Sequence, residues 1–353
     1  MKIHGKNRIG YELSSMSDKS YKSYDPVTLK ELPELYSVAT NEEINLAMNK
    51  AMDSFKIYKN TNGKTKARFL NCIAEEIEIL RDKIIEQACK ETGLPEGRIK
   101  SELERTQNQL KMFASLVSEG SWVEASIDTS MPDRQPVPKP DIRKMLRPIG
   151  PVVVFSASNF PLAFSTAGGD TSSALAGGHP VIVKAHPSHP GTNLLVAEAI
   201  NLAAIKTGMP DGVFSTLYSD NNELGLSLVK HPFTKAVGFT GSLKGGMALI
   251  KAASERNEPI PVFTEMGSVN PVILLTGKLS KDGESVAKVL ATSVSAGAGQ
   301  FCTNPGLMAT INGSWFESFI SSLAREIEVV YPQTMLNKNI WETYIVKRNK
   351  TYI

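Results

Sequence analysis

The sequence predicts an α/β protein built on a doubly wound parallel sheet. Three observations carry that prediction. Short β-branched runs alternate with helix-patterned segments between residues 146 and 264, and the first third of the chain is dominated by helical period. The length, 353 residues, suffices for two ordinary domains with separate cores.

Taken in order, the elements begin with "TNEEINLAMNKAMDSFKIY". It offers Thr40 and Asn41 as caps, Glu43 at capping-box distance from Thr40, and Ile44, Ala47, Met48 and Met52 on one face. "KARFLNCIAEEIEILRDKIIEQACKETG" continues as a second helical pattern through Leu70, Ile73, Ile77, Ile84 and Ala88, stopping at Gly93. Cys72 and Cys89 lie inside it and read as small apolar packing residues. From 121 to 145, alternation interrupted by prolines suits a protruding arm or edge hairpin and excludes a helix.

The alternation follows. "GPVVVFSA", "HPVIVKA", "GVFSTLY" and "KAVGFTGS" read as strands, separated by helices in "LAFSTAGGDTSSALAGG", "GTNLLVAEAINLAAIKTG" and "ELGLSLVKHP". Crossovers of that length make the strands parallel, cover both sheet faces, and put ligands at the carboxyl ends of the strands.

Composition narrows the function classes. Lys plus Arg at 39 against Asp plus Glu at 36 gives a net charge of +3 without a long block of one sign, which argues against nucleic acid or an anionic membrane as partner. Three cysteines without CxxC spacing argue against a disulfide framework or a structural metal site, and point to a reducing compartment. The opening "MKIHGKNRIGYELSS" lacks an apolar signal core and no run of eighteen apolar residues occurs, so the expected location is the cytoplasm.

Five short stretches could carry chemistry, each with a plainer alternative. In "GFTGSLKGG", Gly241 and Ser242 follow a strand, where free N–H groups at a helix start cradle phosphate; an ordinary turn fits equally. Lys184 ends an apolar strand, either reaching a bound nucleotide or standing solvated. Asn159 in "SASNFPLAF" is a turn residue or an amide donor to an oxyanion. Glu265 in "VFTEMGSVNPV" is a carboxylate with a basic partner or a general base raised by burial. Cys302 in "GAGQFCTNPG" is a structural thiol or a loop nucleophile, and the surrounding Gly, Asn and Pro argue against a helix-buried thiol.

Together, "SASNFPLAF", "VIVKAHPSHPG", "GFTGS", "FTEMGSVNP" and "GQFCTNPG", in this order, resemble the NAD(P)-dependent aldehyde dehydrogenase superfamily from about Leu32 to Gly306. Within it, "AFSTAGGDTSSALAGG", "KAHPSHPGT" and "EMGSVNP" are most similar to the α-ketoglutaric semialdehyde (2,5-dioxovalerate) dehydrogenases and their relatives, the bacterial fatty aldehyde dehydrogenases. The resemblance implies an NAD(P)-binding domain over 1–120 and 146–264, an oligomerisation arm over 121–145 and a catalytic domain over 265–353. It implies that Cys302 attacks the aldehyde, that Asn159 and the Cys302 N–H hold the oxyanion, and that Glu265 activates water. Lys184, Gly241, Ser242, Phe155 and Ser156 fall at cofactor positions, and Phe160 at a substrate position. Arg105 is a candidate for the substrate carboxylate, with a surface-helix arginine as the alternative.

Two departures qualify what the resemblance implies. Pro187 stands where many NAD-preferring relatives carry a ribose-binding glutamate, which favours NADP over NAD, although the arginine of some NADP-linked relatives is not evident near "SDNNELG". Family members also continue past this chain's end, with a Glu-x-Phe-Gly-Pro motif that grips the nicotinamide ribose and a strand that pairs across the dimer. The expectation is an incomplete catalytic domain with uncovered strand edges, a homo-oligomer that is weakened or altered, and activity that is either retained or reduced to dinucleotide binding.

Overall fold

The computed structural model describes residues 2–351. Its centre is a seven-stranded sheet. In chain order the strands are β1 (Asn7–Ile9), β2 (Glu12–Ser14), β3 (Val152–Phe155), β4 (Val181–Lys184), β5 (Phe214–Leu217), β6 (Ala236–Thr240) and β7 (Val262–Glu265). Across the sheet they run β7-β6-β3-β4-β5-β1-β2. The five strands from β7 to β5 are parallel, and β1 and β2 add an antiparallel edge.

Strand order reverses between β3 and β6, because the chain runs outward through β4 and β5 and then returns to the other side of β3. That reversal is the switch point at which open α/β sheets form their binding crevice. Alternation along the strands divides the core. Val152, Val154, Val181 and Val183 pack with helices on one face, while Val153, Phe155, Ile182 and Val237 pack on the other.

On the first face lie α2 (Gly63–Ile79), α3 (Arg81–Thr92), α4 (Glu96–Glu119), α5 (Gly169–Gly177) and α6 (Pro190–Thr207). On the second lie α1 (Asn41–Tyr58), α7 (Glu223–Lys230) and α8 (Leu243–Ser254). Thr40 and Glu43 form the expected capping box at the start of α1. Gly93 and Gly208 end α3 and α6 in the left-handed conformation that glycine adopts without a Cβ clash.

The structure corrects the sequence reading in two places. The single helical pattern ending at Gly93 is two helices, broken at Leu80, whose backbone leaves the helical region at φ −95° and ψ 6°. No Gly or Pro marks the break; it lets Ile84 and Ala88 turn into the same core as Ile73 and Ile77. The second correction is at the N-terminus, where β1 and β2 carry too few apolar residues to read as strands. They are held by polar contacts instead: Asn7 donates to Glu43 at 3.1 Å and accepts from the Tyr218 N–H at 2.9 Å.

Residues 126–128 and 142–144 form an antiparallel hairpin, exposed along both strands. Beyond Glu265 a separate unit begins, in which Pro271–Leu274 and Leu307–Thr310 pair in parallel. They are linked through α9 (Thr276–Ser295), and α10 (Phe316–Glu328) completes a small core of Leu279, Ala287, Leu290 and Phe319. Ile273 and Ile311 are 74% and 73% exposed on the opposite side of this pair. A final helix, α11 (Lys338–Thr351), ends the described chain.

Candidate active site

Register brings the carboxyl ends of the parallel strands to one edge. Phe155 stands beside both Lys184 and Phe239, and Thr240 stands beside Glu265. The turn after β6 closes against β7, with the Gly241 N–H donating to the Glu265 carbonyl at 2.9 Å. Ser242 then caps α8, its hydroxyl accepting from the Gly245 N–H at 3.1 Å. A Cβ on Gly241 or Gly245 would run into the Phe239 ring, at 2.6 and 2.9 Å, so both glycines are needed for this close turn.

Lys184 is half-buried, and its Nζ donates to the Ser219 carbonyl at 3.0 Å. Burial pushes the ammonium down to about 8, against a smaller opposing pull from Asp220. Ser156, one residue past β3, is buried with its hydroxyl unpartnered at the switch point. Phe155 is turned inward. Its side chain is packed in the core against Phe239, ring centroids 5.9 Å apart, so any contact with a cofactor falls to its main chain.

Asn159 lies in a bend after β3, and its Nδ2 donates to the Gln300 carbonyl at 2.8 Å. This bond joins the sheet edge to the Cys302 loop. The loop enters through Gly297, Ala298 and Gly299, all left-handed with φ of 57°, 56° and 72°. It is pinned at the Gln300 side chain, which accepts from the Leu336 N–H at 3.0 Å. On the far side, Asn270 Nδ2 donates to the carbonyls of Cys302 at 2.6 Å and Asn304 at 3.0 Å. Ser268 also donates its hydroxyl to the Cys302 carbonyl. Cys302 is half-buried in a loop, not in a helix. Glu265 ends β7 exposed to solvent, not buried.

Phe160 and Phe301, the neighbours of Asn159 and Cys302 respectively, have ring centroids 5.2 Å apart. Two arginines of α4 approach these aromatics. Arg98 lies 4.6 Å from the Phe160 centroid and 5.2 Å from that of Phe301. The exposed Arg105 sits 5.1 Å from Phe164 and 5.9 Å from Phe160. Sequence reasoning reached Arg105 but missed Arg98, Asn270 and the buried Glu91. Glu91, on α3, accepts from the Gly191 and Thr192 N–H groups, both at 2.8 Å, at the start of α6. For Asn270, the left-handed φ of 46° is the kind of position Asn tolerates, and the "VNP" tripeptide was the available signal.

The sequence pattern of the aldehyde dehydrogenase family matches residues 13–340. The chain belongs to the aldehyde dehydrogenase family. An α-ketoglutaric semialdehyde dehydrogenase of Azospirillum brasilense is 44% identical over 99% of this chain and 67% of its own length. One from Acinetobacter baylyi is 46% identical over 88% of this chain and 59% of its own. This aldehyde dehydrogenase chain therefore spans about three fifths to two thirds of the length of these curated relatives. Among solved structures, a betaine aldehyde dehydrogenase of Staphylococcus aureus in complex with NAD+ superposes with a TM-score of 0.82 at 19% identity. The match covers 95% of this chain and 64% of that one, and shows a common fold. Among the described residues, no helix is long and apolar enough to cross a membrane.

Proposed function

We propose that this aldehyde dehydrogenase oxidises an aldehyde to its carboxylic acid with NAD(P), and that its substrate is α-ketoglutaric semialdehyde, converted to 2-oxoglutarate. The observation that carries the reading is the bond from Asn159 to the Gln300 carbonyl, which sets a side-chain amide beside the Cys302 loop. The substrate assignment rests on the two relatives of that name.

The residues at the strand ends fit a dinucleotide. The orphaned Ser156 hydroxyl, the Lys184 ammonium and the capped N-terminus of α8 form a donor set suited to ribose and pyrophosphate. Lys184 would take the adenosine ribose, Gly241 and Ser242 the pyrophosphate, with Phe155 contributing only main chain. Pro187 leaves no carboxylate to repel a 2′-phosphate, which favours NADP. The nicotinamide, when bound, supplies a two-electron hydride acceptor.

The chain's own residues do the rest. Cys302 adds as thiolate to the aldehyde carbon, and the oxyanion of the thiohemiacetal is held by Asn159 Nδ2 and the Cys302 N–H. Asn159 has two amide hydrogens and Gln300 takes one, leaving the second for the oxyanion. After oxidation the thioester carbon is attacked by water. Glu265 takes the water's proton and Cys302 leaves as thiolate. The exposure of Glu265 gives it direct access to solvent water.

The test is the initial rate of NADPH and NADH formation with α-ketoglutaric semialdehyde, beside Cys302→Ser and a circular-dichroism check of folding. Turnover abolished in the variant supports the reading; a folded wild-type chain that binds cofactor without turning over sinks it and leaves a dinucleotide-binding unit. The reading also covers location and assembly: three free thiols suit the reducing cytoplasm, and the exposed hairpin at 126–144 suits a homo-oligomer that sedimentation would detect.

A further inference from the structure

We propose that Arg98 receives the carboxylate at the far end of an acidic aldehyde, and so sets a preference for semialdehydes that carry an anion. The inference rests on the proposed oxidation and names the residue that would select its substrate class. Its basis is the place of one guanidinium over two rings. Phe160 directly follows Asn159, Phe301 directly precedes Cys302, and Arg98 lies within 4.6 Å and 5.2 Å of their centroids. No other cation ring contact among the described residues involves an aromatic neighbour of Cys302.

Donor accounting points the same way. Arg98 Nη1 is paired with Glu102 one turn along α4, but Nη2 is buried with no partner. A buried charged donor without an acceptor is costly and uncommon, and an incoming carboxylate supplies what it lacks. Glu102 does not spend the arginine's charge alone, since it also accepts from the Leu162 and Ala163 N–H groups at 2.8 and 2.9 Å. Burial holds the Glu102 carboxyl above its ordinary range, against the opposing pull of Arg98 and those N–H groups.

Arginine is the suitable residue type for this task. Its planar fork recognises a carboxylate with two parallel bonds while its face stacks on aromatic rings, which the ammonium of lysine cannot reproduce. The rings of Phe160 and Phe301 desolvate the guanidinium, which strengthens an ion pair formed there. Phe301 sits half-buried in the Cys302 loop, its ring beside the guanidinium. Arg105 is the weaker candidate because it is exposed and meets only Phe164 and Phe160.

The experiment compares α-ketoglutaric semialdehyde with pentanal, a neutral aldehyde of equal carbon count, in wild type, Arg98→Lys, Arg98→Met and Arg105→Met. The expected result is a fall in kcat/KM for the acidic substrate of roughly 10- to 100-fold in Arg98→Met and a smaller fall in Arg98→Lys, with pentanal nearly unchanged in both. Equal losses for both aldehydes, or a selective loss in Arg105→Met in place of Arg98→Met, overturn the proposal. Calorimetric titration with 2-oxoglutarate keeps the test independent of turnover. Binding that weakens at least tenfold in Arg98→Met supports the site; binding that is equal in both, or absent from wild type, overturns it. A wild-type chain that binds 2-oxoglutarate through Arg98 and oxidises neither aldehyde refutes the proposed reaction alone.

Discussion

The side-chain amide of Asn159 and the main-chain carbonyl of Gln300 are joined at 2.8 Å across 141 residues of sequence. The bond means that the position of this amide depends on both the sheet and the Cys302 loop. Asn159→Ala removes the donor and the tie together, and kcat is expected to fall roughly 100- to 1000-fold. Cofactor affinity, set at the strand ends, should remain within about twofold. Steady-state kinetics and a fluorescence titration of NADPH check both halves; a kcat within tenfold of wild type would remove Asn159 from the chemistry.

Lys184 gives a prediction with a defined pH window. Burial lowers its folded value from 10.5 to about 8, so between those limits the unfolded chain holds more protons than the folded one. Stability from this group therefore rises as pH climbs from about 8 toward 10.5, and the penalty of burying the charge is fully present below 8. Lys184→Met should flatten that slope in urea titrations. A cofactor phosphate or ribose that needs the ammonium should bind less tightly above about pH 8, and the dependence should vanish in the same variant. An unchanged slope in Lys184→Met would show that another group titrates.

How far the sequence reached depended on the range of each contact. The β-branched runs at Val152–Phe155 and Val181–Lys184 are legible because a parallel strand buries every side chain, so the pattern is local. Asn159, Lys184 and Gly241 were findable for the same reason, as they stand one to four residues past or at a strand end. Arg98 owes its interest to Phe301, about two hundred residues away, and nothing in "EGRIKSEL" reports that ring. The break at Leu80 was likewise invisible, because core packing and no local breaker decides it.

Glu91 shows what such a distant contact does for the site. Its carboxylate accepts from the Gly191 N–H, the Thr192 N–H and hydroxyl, and the Ser23 hydroxyl, seating the start of α6 just beyond Lys184. Glu91→Gln turns an amide N–H₂ toward those donors and should cost about 1–3 kcal/mol in urea denaturation. Burial pushes the Glu91 carboxyl up to about 7, so the folded chain takes its proton before the unfolded chain does. The stability it contributes is greatest below its ordinary value of 4.5 and declines as pH rises to about 7. That decline should be missing from Glu91→Gln.

Asn270 provides the sharpest separation of positioning from chemistry. Its amide bridges the carbonyls of Cys302 and Asn304 and reaches the Ser268 hydroxyl at 2.8 Å, while its own backbone is left-handed. Asn270→Gly keeps the backbone conformation and deletes the bridge, whereas Asn270→Asp places a carboxylate against two carbonyl oxygens. The loop should loosen in both, more so in the aspartate variant, with kcat lowered about 10-fold and 100-fold respectively. Because Asn270 acts through the Cys302 main chain, the Cys302 thiol should also alkylate at an altered rate in Asn270→Gly. Equal kcat in all three proteins, or an unchanged alkylation rate, would mean that the bridge leaves Cys302 where it was.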